Sequence, residues 1–230
     1  GLRVGATVLP VEFRKDEETF QRDLAGLDRI ARAAAETDCR RCITWILPGS
    51  DERPFDENFE LHRRRLGACA QVLSAEGVWL GLEFVGPRTS RANRNYEFIY
   101  DMQGALSLAE AIDTGNVGLL LDAWHWYCTE GTVEQILALR PEQVVHVHVN
   151  DAPAGIPVAE QIDNRRALPG ETGVIDIAAF LGALKEIGYD GPVMAEPFSQ
   201  RVKDMPADQA VAETSQALDK IFAAAGIEPQ

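Results

Sequence analysis

Short apolar runs alternate with longer amphipathic stretches along this chain. Residues 2–9, 41–47, 78–85, 117–122, 144–149 and 192–196 are apolar over most of their length and rich in Val, Ile and Leu. Runs of that length read as strands buried on both faces. The intervening stretches carry helical periodicity. Residues 16–37 place Leu24, Leu27, Ile30 and Ala34 on one face, and residues 57–76 carry Leu61, Leu66, Ala70 and Leu73. Residues 96–112 read as mostly helical, with Leu106, Leu108 and Ile112 among the apolar positions. Residues 132–139, 175–187 (entered through Asp176) and 207–225 complete the helical set.

Six strand-then-helix units in succession predict a parallel sheet with crossover helices, either doubly wound or part of a (β/α)8 barrel. No strand is followed by G-x-G-x-x-G or by G-x-x-x-x-G-K-S/T. Nucleotide-binding versions of the fold therefore lose ground. With no linker in sight, residues 1–230 read as a single domain. Residues 151–174 form a long connection after the fifth strand, and loops of that length in a compact domain tend to carry function.

Charge narrows the partners. Lys plus Arg number 22 against 36 Asp plus Glu, a net −14. A nucleic-acid binder needs clustered cations to neutralise phosphate, which this balance does not supply. No apolar run is long enough to span a bilayer, and no signal peptide is apparent at the N-terminus, so the expected setting is cytoplasmic. Cys39 and Cys42 form a C-x-x-C, but no second pair completes a zinc site and the motif opens an apolar strand. Buried, reduced thiols are the expectation.

The chemistry lies at strand ends. Glu83 stands in LGLEF, Asp122 closes GLLLD, His148 lies in VVHVHV and Glu196 in VMAEP. In a parallel barrel these positions converge on one mouth, where active sites sit. A single carboxylate at a strand end is more often a hydrogen-bond acceptor for a loop. Four strands bearing the cost of a buried ionisable group at one height point instead to a bound cation. Three carboxylates and one imidazole suit one divalent ion, Mn²⁺ first, with Mg²⁺, Co²⁺ or Zn²⁺ as alternatives. His146 and His148 share a face. His148 is nearer the strand's C-terminal end and is the better ligand, which leaves His146 as a core residue. His125 follows Asp122 in D-x-x-H, as a ligand or a donor to a substrate oxygen. His62, within His62-Arg63-Arg64-Arg65, reads as solvated helix face. Trp124, Trp126, Tyr127 and Phe198 flank the ligands, as walls of a sugar pocket or as loop packing. Asn150 and Asp151 are candidate partners of His148. Arg88 is placed near the mouth, and Glu171 in a turn.

The stretches LGLEFVGP (80–87), NVGLLLDAWH (116–125), VHVHVND (145–151), RRALPGETGVID (165–176) and YDGPVMAEPF (189–198) resemble the xylose isomerase-like TIM-barrel superfamily, in particular its sugar phosphate isomerases and epimerases. The resemblance implies Glu83, Asp122, His148 and Glu196 as metal ligands. It also implies His125 as a substrate contact, with Arg166 or its neighbour Arg165 as a cation holding a substrate oxygen or anion; Trp124 joins that group. A complete family barrel has eight βα units and six are counted here. Residues 2–9 resemble the third family strand, so two N-terminal units are expected to be absent from this chain. An open sheet has edges that favour association, which leaves a homo-oligomer open.

The implied chemistry is proton transfer α to a carbonyl through a metal-stabilised enediolate, on a small carbohydrate, with Glu83 and Glu196 as acid and base on opposite faces. A lyase or dehydratase on the same site is the main rival. An abasic-site endonuclease is disfavoured by the charge and by the absence of His in Asp163-Asn164-Arg165-Arg166. A non-catalytic binding barrel is the remaining alternative.

Overall fold

The computed structural model describes residues 3–228. In chain order the elements are β1 (Thr7–Val8), α1 (Glu17–Leu24), α2 (Leu27–Glu36), β2 (Arg41–Ile46), β3 (Gly49–Ser50), α3 (Phe55–Ser74), β4 (Trp79–Phe84), β5 (Tyr96–Glu97), α4 (Met102–Ile112) and β6 (Val117–Asp122). They continue with α5 (Ala123–Cys128), α6 (Val133–Leu137), β7 (Val144–Val149), α7 (Ile177–Glu186), β8 (Val193–Ala195), α8 (Gln200–Lys203) and α9 (Ala207–Ala224). Six strands form one sheet in the order β1-β2-β4-β6-β7-β8. The β1–β2, β2–β4, β4–β6 and β7–β8 pairings are parallel, as the alternating strand and helix pattern predicts. The chain packs as two compact units. One comprises residues 3–84, 94–120 and 143–146, the other 85–93, 121–142 and 147–228. Strands β6 and β7 contribute residues to both.

The first unit is built on β2 and β4, paired from Arg41 with Trp79 to Ile46 with Phe84. Leu80, Leu82 and Phe84 on β4, Ile46 on β2 and Leu66 and Leu73 on α3 are fully buried. Four expectations are corrected here. The helix expected over 16–37 is two helices, α1 and α2, divided at Ala25 and Gly26. Glycine is a poor helix former, and Gly26 stands as the N-cap of α2. The stretch 96–112 is helical only from Met102, because Asp101 caps that helix by accepting from Gly104 N at 2.8 Å. Before it, Tyr96 and Glu97 pair antiparallel with Ser50 and Gly49. The first strand shrinks to Thr7–Val8, and Leu2 lies outside the described residues.

His62 is the fourth correction. It is buried, not solvated, with Nδ1 2.8 Å from the Asn58 carbonyl oxygen and its ring against Phe13 and Phe98. Arg65, one turn on, is buried too and donates to the Phe13 and Lys15 carbonyls and to Glu17. Both share the helix face of Leu66, Cys69 and Leu73, so phase along the helix outweighs residue polarity. All four cysteines are free and buried. Burial pushes the Cys42 and Cys69 thiols up to about 12, far from a reactive thiolate.

In the second unit β8 pairs with the end of β7, His148 beside Met194 and Val149 beside Ala195. Trp124, Phe180, Leu181, Val147 and Val149 are buried. α7 starts at Ile177, two residues later than expected, and is entered through Asp176, which accepts from Ala179 N. Asp151, itself fully buried, ties down the long connection. Its carboxylate accepts from the backbone of Ala152, Thr172, Gly173 and Ile175, and its backbone pairs with Ala167. Among the described residues no helix is long and apolar enough to cross a membrane.

Candidate metal centre

Asp122 is the last residue of β6, and the chain turns there directly into α5. Its Oδ1 accepts from the backbone N–H of Trp124 at 2.6 Å and of His125 at 3.3 Å, capping a short helix that the sequence pattern did not reveal. The cap fixes the carboxylate's orientation and directs Oδ2 toward His148, whose Nδ1 lies 3.8 Å away. Glu196 follows β8 and brings Oε2 to 3.5 Å from the same nitrogen. Asp122, His148 and Glu196 thus offer two oxygens and a ring nitrogen within 4.8 Å of one another. Glu83 is buried at the C-terminal end of β4, in the first unit. The carboxylates of Asp122 and Glu196 are 0 and 27 % exposed, so of these two Glu196 is the one a solute can reach.

Arg166 lies among these groups. Its Nη1 donates to Asp122 Oδ2 and to Glu196 Oε2, each at 2.9 Å. Nη2 donates to Asp163 Oδ1 at 2.8 Å, and Nε to the Asp163 carbonyl. The guanidinium is flanked by the rings of Trp124 and Phe198, 4.7 and 4.9 Å from their centroids. Burial acts to lower the Arg166 pKa, and the charges of Asp122, Glu196 and Asp163 more than reverse it. Burial likewise acts to raise the Asp122 pKa. Arg166, then His125 and His148, outweigh that and hold the carboxyl below its ordinary range.

His125 is buried beside them. The Gly86 N–H donates to its Nδ1 at 3.2 Å, and Arg166 Nη2 lies 3.2 Å from its Nε2. Gly86 allows this approach because it has no side chain: a Cβ there would fall 2.3 Å from the His125 carbonyl oxygen.

The structure gathers Asp122, His148, Glu196, His125, Arg166 and Trp124. Of the two adjacent arginines it buries Arg166 and leaves Arg165 exposed. His146 is buried one strand repeat before His148. Asn150 donates to Asp122 Oδ2 at 3.3 Å, and Asp151 holds the 172–175 backbone, so neither is held to the His148 ring by the bonds described. Arg88 is exposed. Glu171 is a turn residue, accepting from Leu168 N and pairing with Arg201. Asp163 was not singled out by the sequence. Its only signal was a position three residues before Arg166 in the long connection.

Among relatives, the chain is 30% identical to an inosose isomerase of Bacillus subtilis over 146 residues, 64% of this chain and 49% of that protein. It is 33% identical to a 3-dehydroshikimate dehydratase of Pseudomonas aeruginosa over 103 residues, 44% of this chain and 16% of that protein. It is 32% identical to a ketose 3-epimerase of Arthrobacter globiformis over 98 residues, 43% of this chain and 29% of that protein. The chain thus spans about half the length, or less, of the curated relatives it matches. A solved xylose isomerase domain protein from Alicyclobacillus acidocaldarius superposes with TM-score 0.90 at 32% identity, covering 98% of this chain and 79% of that one. The IOLI protein, solved with a bound zinc atom, superposes with TM-score 0.77 at 21% identity, covering 96% and 76%, and shows the shared fold. The family model described as xylose isomerase-like TIM barrel matches residues 5–221, and the chain belongs to that family.

Proposed function

We propose that this chain carries the metal site of a divalent-metal-dependent isomerase or epimerase that moves a proton α to the carbonyl of a small carbohydrate. The observation that carries this reading is the convergence of Asp122, His148 and Glu196. Two ligands bonded at about 2.1 Å to one ion lie at most about 4.2 Å apart. The 3.5 and 3.8 Å separations from His148 Nδ1 meet that limit. Charge agrees. Asp122 and Glu196 carry two negative charges against the one positive charge of Arg166, which Asp163 also claims. Such a cluster calls for further positive charge, and Glu83 as fourth ligand increases the demand. Oxygen donors with one imidazole fit Mn²⁺, Mg²⁺, Co²⁺ or Zn²⁺. The zinc in the IOLI structure agrees with a divalent ion in this fold.

When bound, the ion would supply Lewis acidity toward the substrate carbonyl. The remaining work falls to the chain. Glu196 is the reachable carboxylate, and we assign it and Glu83 as base and acid for the two faces of the substrate carbon. His125, with Nδ1 occupied by Gly86, presents Nε2–H as the donor for a substrate oxygen. Trp124 packs its ring against the Arg166 guanidinium. A second reading is favoured by the dehydratase relative: loss of a leaving group β to the same carbonyl, from the same enediolate.

The test is metal analysis of the purified protein together with proton NMR in D₂O over a panel of inososes, ketoses and 3-keto acids. Deuterium should enter at one α-carbon only when a divalent ion is present. The product then separates epimer, isomer and dehydrated acid. Ion uptake with no exchange on any member would remove the enolisation reading.

A further inference from the structure

Arg166 is bound more completely than a substrate-binding cation should be. A guanidinium has five N–H donors. Here Nε points at the Asp163 carbonyl, the two Nη1 hydrogens at Asp122 and Glu196, and one Nη2 hydrogen at Asp163 Oδ1. The fifth is on the nitrogen 3.2 Å from His125 Nε2. That last contact conflicts with the Gly86 N–H 3.2 Å from Nδ1 of the same ring. A neutral imidazole has one acceptor nitrogen, so only one of these two donors can form a hydrogen bond with it. The guanidinium is therefore tightly held by carboxylates on one edge and poorly matched on the other.

The carboxylates it holds are the ones proposed to bind the ion. Asp122 has no spare acceptor site. Oδ1 takes the Trp124 and His125 amides, and Oδ2 takes Asn150 and Arg166. A carboxylate has about four lone-pair sites, all used here. An arriving cation must release one of these partners, and Arg166 is the only one that carries positive charge.

We propose that Arg166 is a resident counter-cation. It neutralises and aligns Asp122 and Glu196 before a divalent ion arrives, and it yields its Nη1 contacts when the ion binds, so that metal uptake is an exchange of cations. The Trp124 and Phe198 rings and Asp163 retain the displaced guanidinium nearby. Its withdrawal removes the donor facing His125 Nε2 and leaves that position to a substrate oxygen. This inference rests on the metal reading above and goes beyond it, by assigning to Arg166 a function that opposes the ion.

The test compares metal-stripped wild type with Arg166→Met. Mn²⁺ affinity is read by calorimetry, and the melting temperature is read without metal. Removing a like charge beside the ion should tighten Mn²⁺ binding by about tenfold or more, while the metal-free variant melts lower. In ¹⁵N-labelled wild type, titration with diamagnetic Zn²⁺ should shift the Arg166 side-chain resonances, assigned by their loss in Arg166→Lys. This measurement stands even if the Met variant does not fold. Unchanged or weaker Mn²⁺ binding by the folded variant overturns the exchange while wild-type uptake leaves the metal reading intact, and so do Arg166 resonances that stay fixed through Zn²⁺ saturation. Wild type that binds neither ion overturns both.

Discussion

His62 and Arg65 in the first unit, and Asp122 and Arg166 in the second, are all buried ionisable residues, yet they are accommodated in opposite ways. His62 has a backbone carbonyl of its own helix, and Arg65 has two carbonyls and one carboxylate. The His62 partner is local, those of Arg65 come from the segment before and into α1, and Glu17 is met by both Arg64 and Arg65. Around Asp122, three carboxylates share one guanidinium, and two donors converge on one imidazole. The first arrangement leaves no anion in excess. The second has surplus negative charge and a mismatched donor, both of which a cation and a substrate oxygen would relieve. Burial of a charged residue alone does not mark a site; an imbalance among its partners does.

The contrast can be broken by substitution. The largest effect is expected from Asp122→Asn. It leaves Arg166 buried with one anion fewer, and breaking a buried pair costs about 3–5 kcal/mol. Denaturant melts should show that loss, and calorimetry should show no Mn²⁺ uptake; a stable variant that still binds Mn²⁺ would deny Asp122 both roles. Glu196→Gln, with metal occupancy verified, should lose about 100-fold or more in rate if the carboxylate moves the proton. Near-normal turnover would leave it as a ligand only.

His62→Leu sharpens the comparison from the other side. It removes one local hydrogen bond, with an expected cost of about 1–2 kcal/mol and no change in kcat. It also has a pH signature. Burial, the largest cause, holds the His62 pKa down at about 4 against an ordinary 6.5, and nearby Arg14, Arg53 and Arg65 add to the shift. The unfolded chain therefore binds more protons between those values, and His62 lowers stability as pH falls from 6.5 to 4. The variant's stability should be flatter across that window than wild type's. An unaltered slope would mean that the ring is not held neutral.

Much of the fold was legible because buried parallel strands are written as unbroken apolar runs. The bounds 117–122 and 144–149 were met residue for residue. Helices were less legible where two short ones share a period, as at Ala25 and Gly26, or where a strand pairing competes, as at Tyr96. His62 was misread because its charged neighbours were weighed more heavily than its place in the Leu66–Cys69–Leu73 phase. At the site, residue types at strand ends pointed to the candidate metal-binding group. The partners did not announce themselves, because Asp163, Asn150 and Gly86 act through direction and distance.

Composition and periodicity by themselves determined an acidic α/β chain with ligand-type side chains at the ends of its apolar runs, since both follow from neighbours along the chain. Tertiary structure decided between Arg165 and Arg166, turned Asp122 through the α5 cap toward His148, and set Arg166 against the carboxylates it neutralises. Those outcomes depend on which distant segments share one small volume, and a one-dimensional pattern carries no record of that.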